Sequence, residues 1–110
     1  VPEDVKLIKG EQKQTKTLSL DRDELKKTII ITDPKSTSTS LCDGSHQVTV
    51  KYSGYEWLAF WSPEAPFVCI EPWHSHTDMS EVKVPFEKRE GTIILEAHQT
   101  WTSEYSITVK

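Results

Sequence analysis

No stretch of this 110-residue chain approaches the roughly 20 consecutive apolar residues that a helix needs to cross a bilayer. No signal-peptide pattern precedes the first polar segment either, so no membrane partner is expected. The 13 Lys and Arg residues gather into no stripe or cluster, and the net charge is −4; the electrostatic footprint of a nucleic-acid binder is missing. Arginine occurs only at Arg22 and Arg89, which tilts mildly against a phosphorylated ligand and leaves the question open. The four glycines lie apart from one another, which excludes a phosphate-cradling loop. The two cysteines, Cys42 and Cys69, form no C-x-x-C pair, so spacing offers neither a redox dithiol nor a metal half-site. Two free thiols in a cytoplasmic protein are expected, with a Cys42–Cys69 disulfide as the alternative.

What is present reads as one small β domain over residues 1–110, since this length supports a single core. Apolar and polar residues alternate with the period of a half-buried strand: Val48, Val50 and Tyr52 on one face, and Trp101, Tyr105, Ile107 and Val109 on another. Runs at 28–32, 38–41, 47–52, 57–61, 67–71, 82–84, 92–95 and 101–109 are separated by turn residues such as Asp33-Pro34 and Asp43-Gly44. The pattern predicts an all-β antiparallel sandwich. Residues 22–27 offer one helical turn, with Asp21 placed to cap it. The runs at 57–61 and 67–70 are apolar on both faces, which predicts cover on both faces.

The segment APFVCIEPWH, residues 65–74, embeds a carboxylate in residues that should be buried. Charged side chains rarely occupy such surroundings without a partner or a task. Four apolar residues lead into Glu71, and Pro72 is expected to end strand pairing there, leaving Glu71 at the mouth of a strand and facing a pocket. Glu71 is then a general base or ligand-orienting carboxylate, or else a structural Glu paired with a Lys or Arg across the sheet. The sequence His74-Ser75-His76-Thr77-Asp78 invites a metal reading, but no third ligand stands at a motif spacing; rim histidines are the alternative, and His46 and His98 belong to solvated turns. Ser75 has no nucleophile elbow around it. The aromatics Tyr55, Trp57, Phe60, Trp61, Phe67 and Trp73 are a sugar platform or a core, with Trp73 the member best placed to meet a sugar.

The segment WLAFWSPEAPFVCIEPWHSHTD, residues 57–78, resembles the C-terminal region of the aldose 1-epimerase (galactose mutarotase) superfamily, most closely its LacX-like branch. The flanking KTLSLDRDELKKTIIITDPKSTSTSL and EGTIILEAHQTWTSEYSITVK are similar to its neighbouring strands, so the resemblance spans nearly the whole chain but only the last third or so of a typical member. It implies that the domain is part of the large mutarotase-like supersandwich, binding an aldose, a hexose, in a cleft on one sheet without a cofactor. It also implies an isomerase of α and β anomers in which Glu71 takes the proton of the anomeric hydroxyl while a histidine protonates the ring oxygen. Trp73, His74 and Asp78 are the implied substrate-binding residues.

Two departures bear on activity. The family's catalytic histidines lie upstream of the matched region, and His74 and His76 follow the glutamate instead of preceding it. The loop after Trp73 carries Ser75 where the family usually has a glycine. The chain begins with Val1, which suggests that upstream sequence was removed. The expectation is a C-terminal portion that carries the base without its acid, is weakly active or inactive alone, and has the N-terminal portion of the fold as a second-chain partner. A noncatalytic carbohydrate-binding sandwich is the alternative.

Overall fold

The computed structural model describes Thr17 and residues 20–77 and 84–110. Asp21 opens the first element, α1 (Arg22–Lys26), its Oδ1 accepting from the backbone N–H of Asp23 at 2.9 Å and of Glu24 at 3.4 Å. Those amides are among the four that a helix leaves unpaired at its start, so the expected cap is realised. Leu25 is the one buried residue of α1, and its carbonyl accepts from the Ser62 N–H. Arg22 reaches the same region, donating to the carbonyl of Ala65 at 2.8 Å.

Six strands follow: β1 (Ile29–Thr32), β2 (Ser38–Cys42), β3 (Gln47–Lys51), β4 (Trp57–Trp61), β5 (Cys69–Trp73) and β6 (Ser106–Val109). They form two antiparallel three-stranded sheets, ordered β1-β4-β5 and β2-β3-β6. The protein is therefore an all-β antiparallel sandwich, as the alternation predicts. Among the described residues no helix is long and apolar enough to cross a membrane.

Register explains the core. Ile29 pairs with Phe60, Ile31 with Leu58 and Phe60 with Ile70, so one face of the first sheet is a continuous apolar surface. It packs with Val50, Tyr52 and Leu25. The Tyr52 hydroxyl is buried and shares hydrogen bonds with Ser36 Oγ at 2.7 Å and Thr39 Oγ1 at 2.8 Å, which removes the cost of burying an unpaired polar group. Ser62 is buried too, and its hydroxyl donates to the Phe67 carbonyl at 2.6 Å, fixing the loop that returns the chain into β5.

The expectation of cover on both faces holds for β4, whose first four residues are buried, but not for β5, which is half-buried throughout. Phe67, in the expected run, is 50% exposed. Position in the sheet is the reason: β4 is central, whereas β5 is an edge strand with a neighbour on one side only. The same fact corrects the reading of Pro72. Pairing does not end at Glu71; Pro72 pairs with Leu58 and Trp73 with Trp57, because an edge strand tolerates a residue without an N–H. Glu71 thus lies in the middle of β5, not at a strand mouth.

Two further expectations are revised. Residues 92–95 form no strand, and Ile93, Ile94 and Leu95 are exposed; an apolar run becomes a strand only where another backbone offers it a ladder. The strand expected over 101–109 begins only at Ser106, because its partner β3 ends at Lys51, which pairs with Ser106. Residues 82 and 83 of the expected 82–84 strand lie outside the described residues, and Val84 is in no strand.

Candidate functional site

Successive side chains of a strand point to opposite faces, so Cys69, Glu71 and Trp73 share the face of β5 turned away from the core of Ile70. The register sets Trp61 opposite Cys69, Ala59 opposite Glu71 and Trp57 opposite Trp73. Glu71 is half-buried among these groups. The indole Nε1–H of Trp73 donates to Glu71 Oε2 at 3.1 Å. Burial pushes the Cys69 thiol up from its ordinary pKa, and the Glu71 carboxylate beside it pushes it further.

Among the described residues no ion pair includes Glu71; Lys26 pairs with Glu64 and Lys35 with Asp33, while the other pairs join histidines to acids. The cross-strand position holds Ala59, which is 0% exposed. Among the described residues no basic side chain is bonded to Glu71 across the sheet. An ionised carboxylate is acceptor-only with room for about four hydrogen bonds, and Glu71 accepts from one neutral donor, the Trp73 indole. Such a group can accept a proton or bind the hydroxyls of a ligand.

The aromatic cluster divides. Trp57 and Phe60 are buried, and Phe60 belongs to the apolar core. The Trp57 ring, on Glu71's face, meets the His76 ring edge-on at 4.9 Å. A Cβ at Gly91, where φ is +82°, would fall 2.3 Å from the His74 carbonyl oxygen and 2.8 Å from Trp57 Cζ3, so only glycine lets this segment close against Trp57. Trp61 and Trp73 remain half-buried beside Cys69 and Glu71.

The two histidines after Trp73 serve different partners. The His76 ring bonds the Thr77 carbonyl through Nδ1 at 2.6 Å and Glu90 Oε2 through Nε2 at 3.0 Å. His74 stacks on Tyr55 at 4.1 Å and meets Trp101 edge-on at 5.0 Å. Its Nδ1 lies 3.1 Å from Glu56 Oε2 and its Nε2 2.8 Å from Ser103 Oγ. A groove of about 470 Å³ opens beside it, lined among others by Ser53, Glu56, Ile93, Trp101 and Glu104.

Acid, imidazole and serine in line have the outline of a nucleophile relay. The protons run the other way: Ser103 gives its O–H to Tyr55 Oη at 2.9 Å, so Ser103 Oγ accepts from the imidazole. The array is a clamp that ties the 101–103 segment to Tyr55 and Glu56. Among the described residues no group of three or more His, Cys, Asp or Glu side chains is arranged to hold a metal. His46 and His98 are exposed at turns, as expected.

Of the residues singled out by sequence, Glu71 and Trp73 are brought into direct contact, His74 makes its contacts elsewhere, and Asp78 lies outside the described residues. Sequence reasoning passed over Cys69, although the period of two that joins Glu71 to Trp73 also joins it to Cys69. Glu56 and Ser103 carried no such signal. Compared with family models, with curated proteins and with solved structures, the chain matches none.

Proposed function

We propose that this chain carries the sugar-binding face of an aldose 1-epimerase-like β-sandwich, with Glu71 as the base that acts on the anomeric hydroxyl of a hexose. The observation that carries the reading is the environment of Glu71: a half-buried carboxylate, bonded to the Trp73 indole, with Ala59 opposite it and no cation paired to it among the described residues. The resemblance of residues 57–78 to the mutarotase motif points to the same residue. Glu71 removes the proton from the C1 hydroxyl while an acid protonates the ring oxygen. The C1–ring oxygen bond breaks, the C1–C2 bond turns, and ring closure on the other face of the carbonyl returns both protons as the opposite anomer. Base and acid each contribute about 10² to 10⁴ in rate.

As the resemblance implies, the acid is a histidine upstream of the matched region and not His74 or His76, which follow Glu71. The chain alone is therefore weakly active or inactive, and activity appears when the N-terminal portion of the same fold joins it. Free thiols at Cys42 and Cys69 suit a reducing compartment, and we assign the protein to the cytoplasm. Polarimetry of freshly dissolved α-glucose or α-galactose tests the reading. Acceleration by the joined portions that vanishes in Glu71→Gln supports it; acceleration that persists in Glu71→Gln overturns it.

The engagement of His74 with Glu56 and Ser103 favours a second reading, a noncatalytic carbohydrate-binding sandwich. Sugar binding that survives Glu71→Gln, with no anomerisation by the joined parent, selects it.

A further inference from the structure

Cys69, Glu71 and Trp73 stand at i, i+2 and i+4 on one face of an edge strand, so the carboxylate has a potential donor on each side along its own strand. On the Trp73 side the donor is the indole N–H, 3.1 Å from Oε2. On the Cys69 side it is the thiol, half-buried on the same strand face and near enough that the Glu71 carboxylate helps to raise its pKa. Across the ladder Ala59 offers only a methyl, and among the described residues no ion pair includes Glu71.

A carboxylate on a flexible side chain loses rotamer freedom when it engages a ligand, and donors that orient it beforehand reduce that cost. Neutral donors do this without the bound countercharge that would hold the carboxylate's lone pairs in a salt bridge. Resting on the reading of Glu71 as the sugar-facing carboxylate, we propose that Cys69 and Trp73 are its positioning residues, and that a hexose bound at Glu71 covers the Cys69 thiol. Neither residue touches the reacting atoms. Each acts through the orientation of Glu71.

The protein carries its own control, because Cys42 is exposed on β2 in the other sheet. Iodoacetamide alkylation of the folded protein at pH 8, followed cysteine by cysteine by peptide mass mapping, tests both halves. The thiolate is the reacting species, and removing the neighbouring negative charge makes it easier to form. Glu71→Gln should therefore speed alkylation of Cys69 by roughly threefold or more and leave Cys42 unchanged. In the parent, α-galactose or α-glucose should slow Cys69 and not Cys42.

Sugar affinity lost in Cys69→Ala should be recovered in Cys69→Ser, which restores a donor, and Trp73→Phe should lower affinity. Equal Cys69 rates in the parent and in a folded Glu71→Gln variant overturn the positioning role. Faster Cys69 alkylation in Glu71→Gln without protection by either sugar leaves the positioning role standing and overturns the placement of the hexose at Glu71.

Discussion

Glu71 stands directly opposite Ala59 in the β4–β5 ladder, where a structural glutamate would face a basic residue. The consequence is energetic as well as chemical. A buried ion pair that loses one member costs about 3–5 kcal/mol, and such a glutamate is kept for stability. Glu71 has no such pair among the described residues; it accepts from the Trp73 indole, and its charge lies beside the Cys69 thiol.

Glu71→Gln should accordingly change unfolding stability by less than about 1 kcal/mol, since a glutamine oxygen still accepts from the Trp73 N–H. Urea denaturation followed by tryptophan fluorescence measures this. A loss of the size expected for a broken ion pair would return Glu71 to a structural role.

Thr28 follows the Lys27 C-cap of α1 with φ at +65°, a position where helices usually place glycine. A β-branched side chain is strained in that region. Thr28→Gly should stabilise the protein by up to about 1 kcal/mol, the strain relieved exceeding the added chain entropy. Thermal melting of the two proteins compares them directly.

Gly91→Ala should do the opposite. The added methyl would meet the His74 carbonyl oxygen, Trp57 Cζ3 and the Ser75 Cα, at a φ of +82°. The expected destabilisation is about 1–3 kcal/mol, and Trp57 should become more accessible to acrylamide quenching as the segment lifts.

Raising the pH tests Cys69 through linkage. Its folded pKa lies above the ordinary 9.0, because of burial first and Glu71 second. The neutral thiol is therefore favoured by folding: its contribution is fully present below the unfolded value and is lost as pH rises through the folded one. Stability should fall more steeply above about pH 9 in the parent than in Cys69→Ser. Parallel curves in alkaline denaturation would contradict the burial and charge at this site.

Ser103→Ala removes the hydroxyl that joins His74 to Tyr55. The 101–103 segment should loosen, with a cost of about 1 kcal/mol and faster proteolysis near Trp101. An acyl-serine adduct at Ser103 after treatment of the parent with an activated ester would show instead that the array works as a relay.

Local chemistry made much of this legible. Asp21 caps α1 by reaching amides two and three residues away, and a signal of that range is written in the sequence. The bounds of β4 were equally plain, because Trp57–Trp61 is short, apolar and flanked by turn residues. The run at 92–95 looked similar yet forms no strand, since composition does not supply a hydrogen-bonding neighbour. Pro72 misled for a related reason: a missing N–H ends pairing in a central strand and is tolerated at an edge.

For the candidate site, the sequence set Glu71 and Trp73 close together but expected pairing to end at Pro72; the extension of β5 to Trp73 is what puts Cys69, Glu71 and Trp73 on one strand face. By itself the sequence determined an all-β chain, the helical turn, and a carboxylate set among aromatic residues, because propensity, capping and two-residue alternation act over a few residues. Only the tertiary structure decided that β5 is an edge strand, that Ala59 faces Glu71, and that His74 turns to Glu56 and Ser103. Those outcomes depend on which backbones pair and in what register, a choice made by burying Leu58, Phe60 and their neighbours together rather than by any one segment.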